Sequence, residues 1–313
     1  GVYQQVTLLN PGLVTFWLGA NDVLGFATSG GASPSTPTAS ATFSALYTQA
    51  LTTLRTALPN AKIVVGNIPD VKAIPFFTTI GPKLKANLAS VFTAGGSVYY
   101  QKRGETGAGT GATKFNETVA GPLVTLIGGR YATLVGTQTY APWRAIGGPY
   151  ASYATAQALG LDSTMPFGLH TKNPFPNAYV LDSLEQSMAA QSTGDFNATI
   201  ASVAASKGAV VVDFFTYFNN VHANGVTVAG QEMTTAYISG GLFSLDGVHP
   251  SSRGYGIVAN EYIRVMNREF GMSIPAVDVA AIPGLAVTGY SASDKAYPQV
   301  DPDLAKSLQT LFK

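Results

Sequence analysis

Three short apolar runs constrain this chain more than anything else in it: LVTFWLG (residues 13–19), AKIVVGNIPD (61–70) and AVVVDFF (209–215). LVTFWLG is rich in β-branched and aromatic residues, and none of the three shows the polar alternation of a strand with one wet face. A strand apolar on both sides needs cover on both sides, and helical stretches lie between the runs. Residues 43–58 place Phe43, Leu46, Leu51, Leu54 and Leu58 near helical spacing, and 183–206 reads as a second helix. A last helix at 252–269 carries Tyr255, Val258, Tyr262, Val265 and Met266 on one face, with Gly271 as its stop. Strands alternating with helices predict an α/β fold, a parallel sheet between two helical layers.

The remaining stretches are less regular. VYQQVTLL (2–9) reads as the tail of a helix stopped by Asn10-Pro11-Gly12, and a Ser/Thr/Pro-rich loop is expected at 28–42. The glycine-rich segment from Gly95 to Lys114 ends in GETGAGTGATK. It lacks the order of a phosphate-binding loop, Gly-x-x-x-x-Gly-Lys-Ser/Thr, and is read as a flexible loop. Residues 117–180 alternate apolar pieces with Gly and Pro, so the chain 1–313 is read as one domain with a loop-rich insertion at about 95–180. Tyr140, Trp143, Tyr150, Tyr153, Phe167, Phe175 and Tyr179 of that insertion either line a pocket or close a satellite core, the core being favoured.

Charge excludes some functions. Lys+Arg 18 against Asp+Glu 17 leaves a net charge of +1, and only 11% of residues are charged, so no footprint for nucleic acid or an anionic membrane is present. A surface made of Ser, Thr, Asn, Gln and Gly points to an exported protein, secreted, periplasmic or at the cell surface, although no Lys/Arg-led leader stands at the start. No run is long enough to be a transmembrane segment. With no cysteine there is no disulfide, thiolate metal site or Cys nucleophile. His170 and His222 have no partner at metal-ligand spacing and read as surface or loop residues, and Asn116 and Asn197 fit a glycosylation pattern by chance.

Two blocks carry chemistry. LDGVHPSSRGYGIVANEYI (245–263) sets Asp246 and His249 three apart on a loop stiffened by Pro250, a spacing that lets a carboxylate orient an imidazole as a general base. The same spacing also serves as a helix cap. Gly19-Ala20-Asn21-Asp22 follows the first apolar run; Asn21 and the Gly19 N–H are suitable donors to an oxyanion, and the same dipeptide Asn21-Asp22 also makes an ordinary Asx turn. Both blocks fall at the C-terminal ends of strands, where an open α/β sheet binds ligands.

GAND after a buried strand, with DGVHPSSRGYGIVAN towards the end of the chain, resembles the SGNH or GDSL-type hydrolases, and best its bacterial exported, lipase-like members. The resemblance follows most of the chain in order, loosely over 95–180. It implies a flavodoxin-like three-layer fold and hydrolysis of carboxylic esters by a Ser-His-Asp mechanism without metal or organic cofactor. Asp246 would orient the base His249, Asn21 would be an oxyanion-hole donor, and Gly19 would let a small-molecule or lipid ester approach the strand end.

The nucleophile block of that family, Gly-Asp-Ser-Leu on a first strand before Gly-x-Asn-Asp, has no counterpart here, nor has the glycine block that completes its oxyanion hole. No Ser precedes Ser29. Asp182-Ser183-Leu184 imitates the motif on the wrong side of Asn21, and with Glu185-Gln186 it reads as a capping box. Ser29, Ser251 and Ser252 read as turn or cap residues. The expectation is therefore an N-terminally truncated member with its nucleophile outside this chain, in which residues 13–19 form a sheet edge and Asn21 lies close to His249. The alternative is a catalytically silent module that keeps the cleft for glycan or lipid; a flavodoxin-like nucleotide binder comes third, lacking a phosphate loop.

Overall fold

A computed structural model describes residues 2–116, 121–228 and 230–283. They divide into two compact units, one of residues 2–24, 37–73 and 190–283, the other of 25–36 and 74–189. The loop-rich stretch read at 95–180 lies inside the second unit.

The first unit is α/β. The helices and strands that build its main sheet and cover run in the order α1 (Val2–Leu9), β1 (Leu13–Phe16), α2 (Asn21–Thr28), α3 (Ser40–Ala57), β2 (Lys62–Gly66), α4 (Ser183–Ser206), β3 (Val210–Val212), α5 (Phe214–Asn224) and α6 (Ser252–Phe270), with α2 and α4 shared between the units and a small antiparallel pair, Val226–Val228 with Gln231–Met233, before α6. The sheet is parallel, in the order β1-β2-β3, with Phe16 opposite Val65, and Val65 opposite Val211. Side chains alternate across a strand, so Phe16, Val65 and Val211 share one face while Val64, Val210 and Val212 share the other. Val64 and Val212 pack with Val258, Tyr262, Val265 and Met266 of α6. On the opposite face Phe16 meets Tyr47 of α3 edge-on at 5.5 Å, and Phe43 of α3 stacks on Phe196 of α4 at 4.0 Å. Helices therefore cover both faces of the central strand, which is why residues 63–66 are buried throughout.

Among the described residues β1 has a single strand neighbour, the edge position the sequence gives it. It is not buried on both faces, however: Thr15 is exposed and only Phe16 is fully covered, because an end strand lacks a neighbour to carry the covering layer across. It is also shorter than residues 13–19. Trp17 turns out of the strand, donates its indole N–H to the Asn67 carbonyl at 2.9 Å, stacks on Phe214 at 4.3 Å and meets Tyr262 edge-on. A Cβ on Gly66 would stand 2.6 Å from the Trp17 ring and 2.8 Å from the Tyr262 hydroxyl, so glycine there is a packing requirement.

The third run is also shorter than its pattern. The strand stops at Val212; Asp213 caps α5, its Oδ1 accepting the Thr216 N–H at 3.1 Å, and the two phenylalanines read as strand begin a helix. Leu46 and Tyr255, counted on apolar helix faces, are 58% and 49% exposed. The stop of α6 is as read, with Gly271 in the left-handed conformation.

In the second unit the glycine-rich segment is a packed hairpin and not a flexible loop. Val98–Tyr100 pairs antiparallel with Gly111–Thr113. A Cβ on Gly111 would lie 2.4 Å from the Tyr100 ring, and one on Gly107 would collide with the Leu159 carbonyl. Those glycines allow close approach. Trp143, Tyr150, Ala156 and Leu161 form a separate small core with Tyr140 against it, and the Trp143 indole donates to Asn173 Oδ1 at 3.1 Å, so the satellite-core reading holds for this group. At the start of α4, Asp182 Oδ1 accepts the Glu185 N–H at 3.0 Å and Glu185 Oε2 accepts the Asp182 N–H at 2.7 Å, a reciprocal capping box.

Candidate active site

The loop before α6 builds the Asp246–His249 pair from its own backbone. Phe243 bridges to Pro250, the Ser244 N–H donates to the His249 carbonyl at 2.8 Å, and Gly247 turns the chain with φ of 69°. Asp246 is thereby folded back over the turn. Its Oδ1 accepts from Ser244 Oγ at 2.5 Å, the Val248 N–H at 2.8 Å and the His249 N–H at 2.9 Å. Its Oδ2 stands 2.7 Å from His249 Nδ1. Since an ionised carboxylate only accepts, the imidazole proton of that contact sits on Nδ1, and Nε2 is the nitrogen with acceptor chemistry in the neutral ring.

Burial opposes ionisation of Asp246. The hydrogen bonds from His249, Ser244 and the two backbone N–H groups outweigh it and hold the carboxyl well below the usual carboxylate range. The hydrogen bond His249 donates to Asp246, partly offset by burial, raises His249 above its ordinary 6.5. The Asp246 side chain is 14% exposed and the His249 side chain 45%. This is a fixed anion with an accessible base. The pair is not a helix cap either, because α6 is capped by Ser251, whose Oγ accepts the Gly254 N–H at 3.0 Å and donates to the Gly241 carbonyl at 2.6 Å.

Gly19 and Asn21 follow the sheet's first strand, Gly19 in the link to α2 and Asn21 at its start. Asn21 is the first residue of α2 and exposed, so the reading of an Asx turn gives way to a helix start, with the Asp22 N–H on the Gly19 carbonyl at 3.1 Å and the Leu24 N–H on the Ala20 carbonyl at 2.9 Å. Gly19 has φ of 119°, and a Cβ there would lie 2.9 Å from both Ile68 and Phe43. Backbone and packing each demand glycine at this point, with or without a ligand. The residues placed in contact are Asp246 and His249; Asn21 stands on a separate element.

The serines fill structural positions. Ser29 Oγ donates to the Phe26 carbonyl at 2.8 Å in the turn after α2, Ser183 and Ser252 open α4 and α6, and Ser251 is the cap. Sequence reasoning passed over Ser244, which holds the Asp246 carboxylate. It also passed over Tyr237, whose hydroxyl donates to the Leu245 carbonyl at 2.7 Å. Tyr237 and Tyr255 both have phenols shifted upward, by burial first and then by the Asp246 charge. Nothing but the polar character of Ser244 and Tyr237 signals these contacts in the sequence.

His170 Nδ1 accepts the Lys172 N–H, and His222 Nδ1 lies 2.9 Å from Thr235 Oγ1. Among the described residues no group of three His, Cys, Asp or Glu side chains is placed to hold a metal, and no helix is long and apolar enough to cross a membrane. Comparison with family models, with curated proteins and with solved structures gave no match to this chain.

Proposed function

We propose that this chain carries the general-base part of an SGNH-type serine ester hydrolase, with the attacking serine outside these 313 residues. The observation that carries the reading is the Asp246–His249 pair: Nδ1 to Oδ2 at 2.7 Å, the carboxylate fixed by three further hydrogen bonds, the imidazole half-exposed. The sequential parallel order β1-β2-β3 also agrees with one half of a flavodoxin-like sheet.

In this reaction the serine oxygen attacks the ester carbonyl carbon while His249 Nε2 takes the serine proton. Asp246 stabilises the imidazolium through Nδ1–H. The negative charge moves to the carbonyl oxygen, where the Asn21 amide donates to it. Collapse breaks the C–O bond to the alcohol, which leaves with the proton from His249. Water then repeats the sequence on the acyl-enzyme, releasing the acid and restoring the serine. The polar surface composition supports an exported enzyme acting on small or lipid esters.

The test is hydrolysis of short- and long-chain p-nitrophenyl esters by this chain alone and by the chain extended with the residues encoded in frame before Gly1. The expected result is activity only in the extended protein, lost in its His249→Ala variant. An active extended protein indifferent to that substitution, or an inactive one, would sink the proposal.

A further inference from the structure

A second concavity lies in the same unit, where no catalytic residue of the proposed reaction stands. It has a volume of about 280 Å³ and opens at the C-terminal ends of β2 and β3, between the start of α5 and the middle of α4. Adjacent parallel strands deliver ligand-facing loops at this end of a sheet. Asn67 and Asp70 lie in the loop after β2, Asp213, Phe215 and Thr216 at the head of α5, and Gly194 in α4.

The frame is held by amides. Asn67 donates to Asp213 Oδ1 at 2.8 Å and accepts the Phe215 N–H at 2.9 Å, tying the end of β2 to the head of α5. Asn197 grips the backbone of Ile68 from both sides, accepting its N–H at 2.8 Å and donating to its carbonyl at 2.9 Å, which ties the same loop to α4. Gly194, on the exposed wall of α4, has open space where a Cβ would stand.

The lining combines the Asp70 and Asp213 carboxylates, two threonine hydroxyls and Phe215. The carboxylates are not a bare cluster of negative charge: Lys72 lies 3.9 Å from Asp70, and Asp213 sits at the N-terminus of α5 with Asn67 and backbone N–H groups as donors. Asp213 takes its donors from the Asn67 and Thr216 side chains and the Phe215 and Thr216 N–H groups, so the carboxylate that faces a ligand is Asp70, held by the Lys72 N–H at 3.0 Å and the Lys72 ammonium. A neutral, hydroxyl-rich ligand with one apolar face fits that chemistry, giving an O–H bond to Asp70 and C–H contact to the ring. The volume suits one pyranose ring.

We propose that this cleft is a saccharide-binding site that accommodates a single neutral pyranose unit, independent of the Asp246–His249 pair.

The test uses the protein as it is, titrated with the methyl glycosides of glucose, galactose, mannose and N-acetylglucosamine, and read by amide chemical shifts and saturation transfer. At least one glycoside is expected to bind at millimolar concentration, moving the amides of Gly194, Phe215 and Thr216. Gly194→Leu fills the cleft where no atom obstructs it and replaces glycine by a better helix former, so it should fold with an unchanged or raised Tm while affinity falls about tenfold or more. Asp70→Asn should weaken binding with the fold intact, and His249→Ala should leave it unchanged. The inference is overturned if no glycoside moves those amides, if Gly194→Leu binds as well as the parent, or if ethanolamine binds there in a salt-sensitive way in place of the glycosides.

Discussion

Replacing Asp246 by Asn tests the site without requiring turnover. The side chain keeps its shape, and the amide oxygen can still accept from Ser244 Oγ and the N–H groups of Val248 and His249. Hydrogen bonds to a charged group contribute about 1.5–3 kcal/mol and neutral ones about 0.5–1.5, so each of the three weakens by about 1 kcal/mol. The fourth contact reverses: an amide NH2 now faces His249 Nδ1, which has to become the acceptor and pass its proton to Nε2. Asp246→Asn should therefore cost about 3 kcal/mol of stability. It should bring the His249 pKa from above 6.5 down to that value or below, and convert the neutral ring from the Nδ1–H to the Nε2–H tautomer. Long-range proton–nitrogen NMR of the imidazole across pH reads both changes, and urea unfolding reads the first. An unchanged His249 titration and tautomer would show that the carboxylate does not orient the ring, and the reasoning would be wrong.

Two further outcomes follow from other positions. Gly19→Ala forces a side chain onto φ of 119° and against Ile68 and Phe43 at 2.9 Å; it should cost about 2–4 kcal/mol in denaturant unfolding, and a loss near zero would contradict the packing account. Burial pushes the Glu185 carboxyl up to about 7, with hydrogen bonds from Asn177 and the Asp182 N–H opposing the rise. Because the folded state favours its neutral form, its contribution to stability is present below the ordinary 4.5 and lost as pH rises through about 7; Glu185→Gln should flatten the fall in stability between about pH 5 and 8, and an identical slope in the variant would refute the assignment.

The sheet was legible because burial leaves a mark that survives local detail: residues 63–66 read as doubly covered and are. Where a strand ends was not legible, since Phe214 and Phe215 are apolar in either state and only the Asp213 cap decides for a helix. Leu46 and Tyr255 sit at helical spacing yet outside the contact surface, because a periodic pattern says which face is apolar and not how far its cover extends. The glycines at 107, 109 and 111 read as looseness because composition cannot distinguish a residue chosen for freedom from one chosen for size; here Tyr100 and Leu159 need the space. In the site, the contact between Asp246 and His249 is legible from their spacing, a local property, while their role rests on the resemblance of both blocks to a family. Ser244 and the role of Asn67 as a brace between strand ends depend on three-dimensional closure and left no periodic or motif signal.

The most direct measurement of the central claim is covalent trapping. A fluorophosphonate ester applied to the protein extended through its upstream in-frame residues, followed by peptide mass spectrometry, reports which hydroxyl is activated and whether His249 activates it. One adduct is expected, on a serine preceding Gly1, with labelling abolished in His249→Ala; removal of the equivalent base costs roughly 10⁶-fold in the best-measured triad. An adduct on Ser29, Ser244 or Ser251, or labelling of the His249→Ala protein at the parent rate, would contradict it.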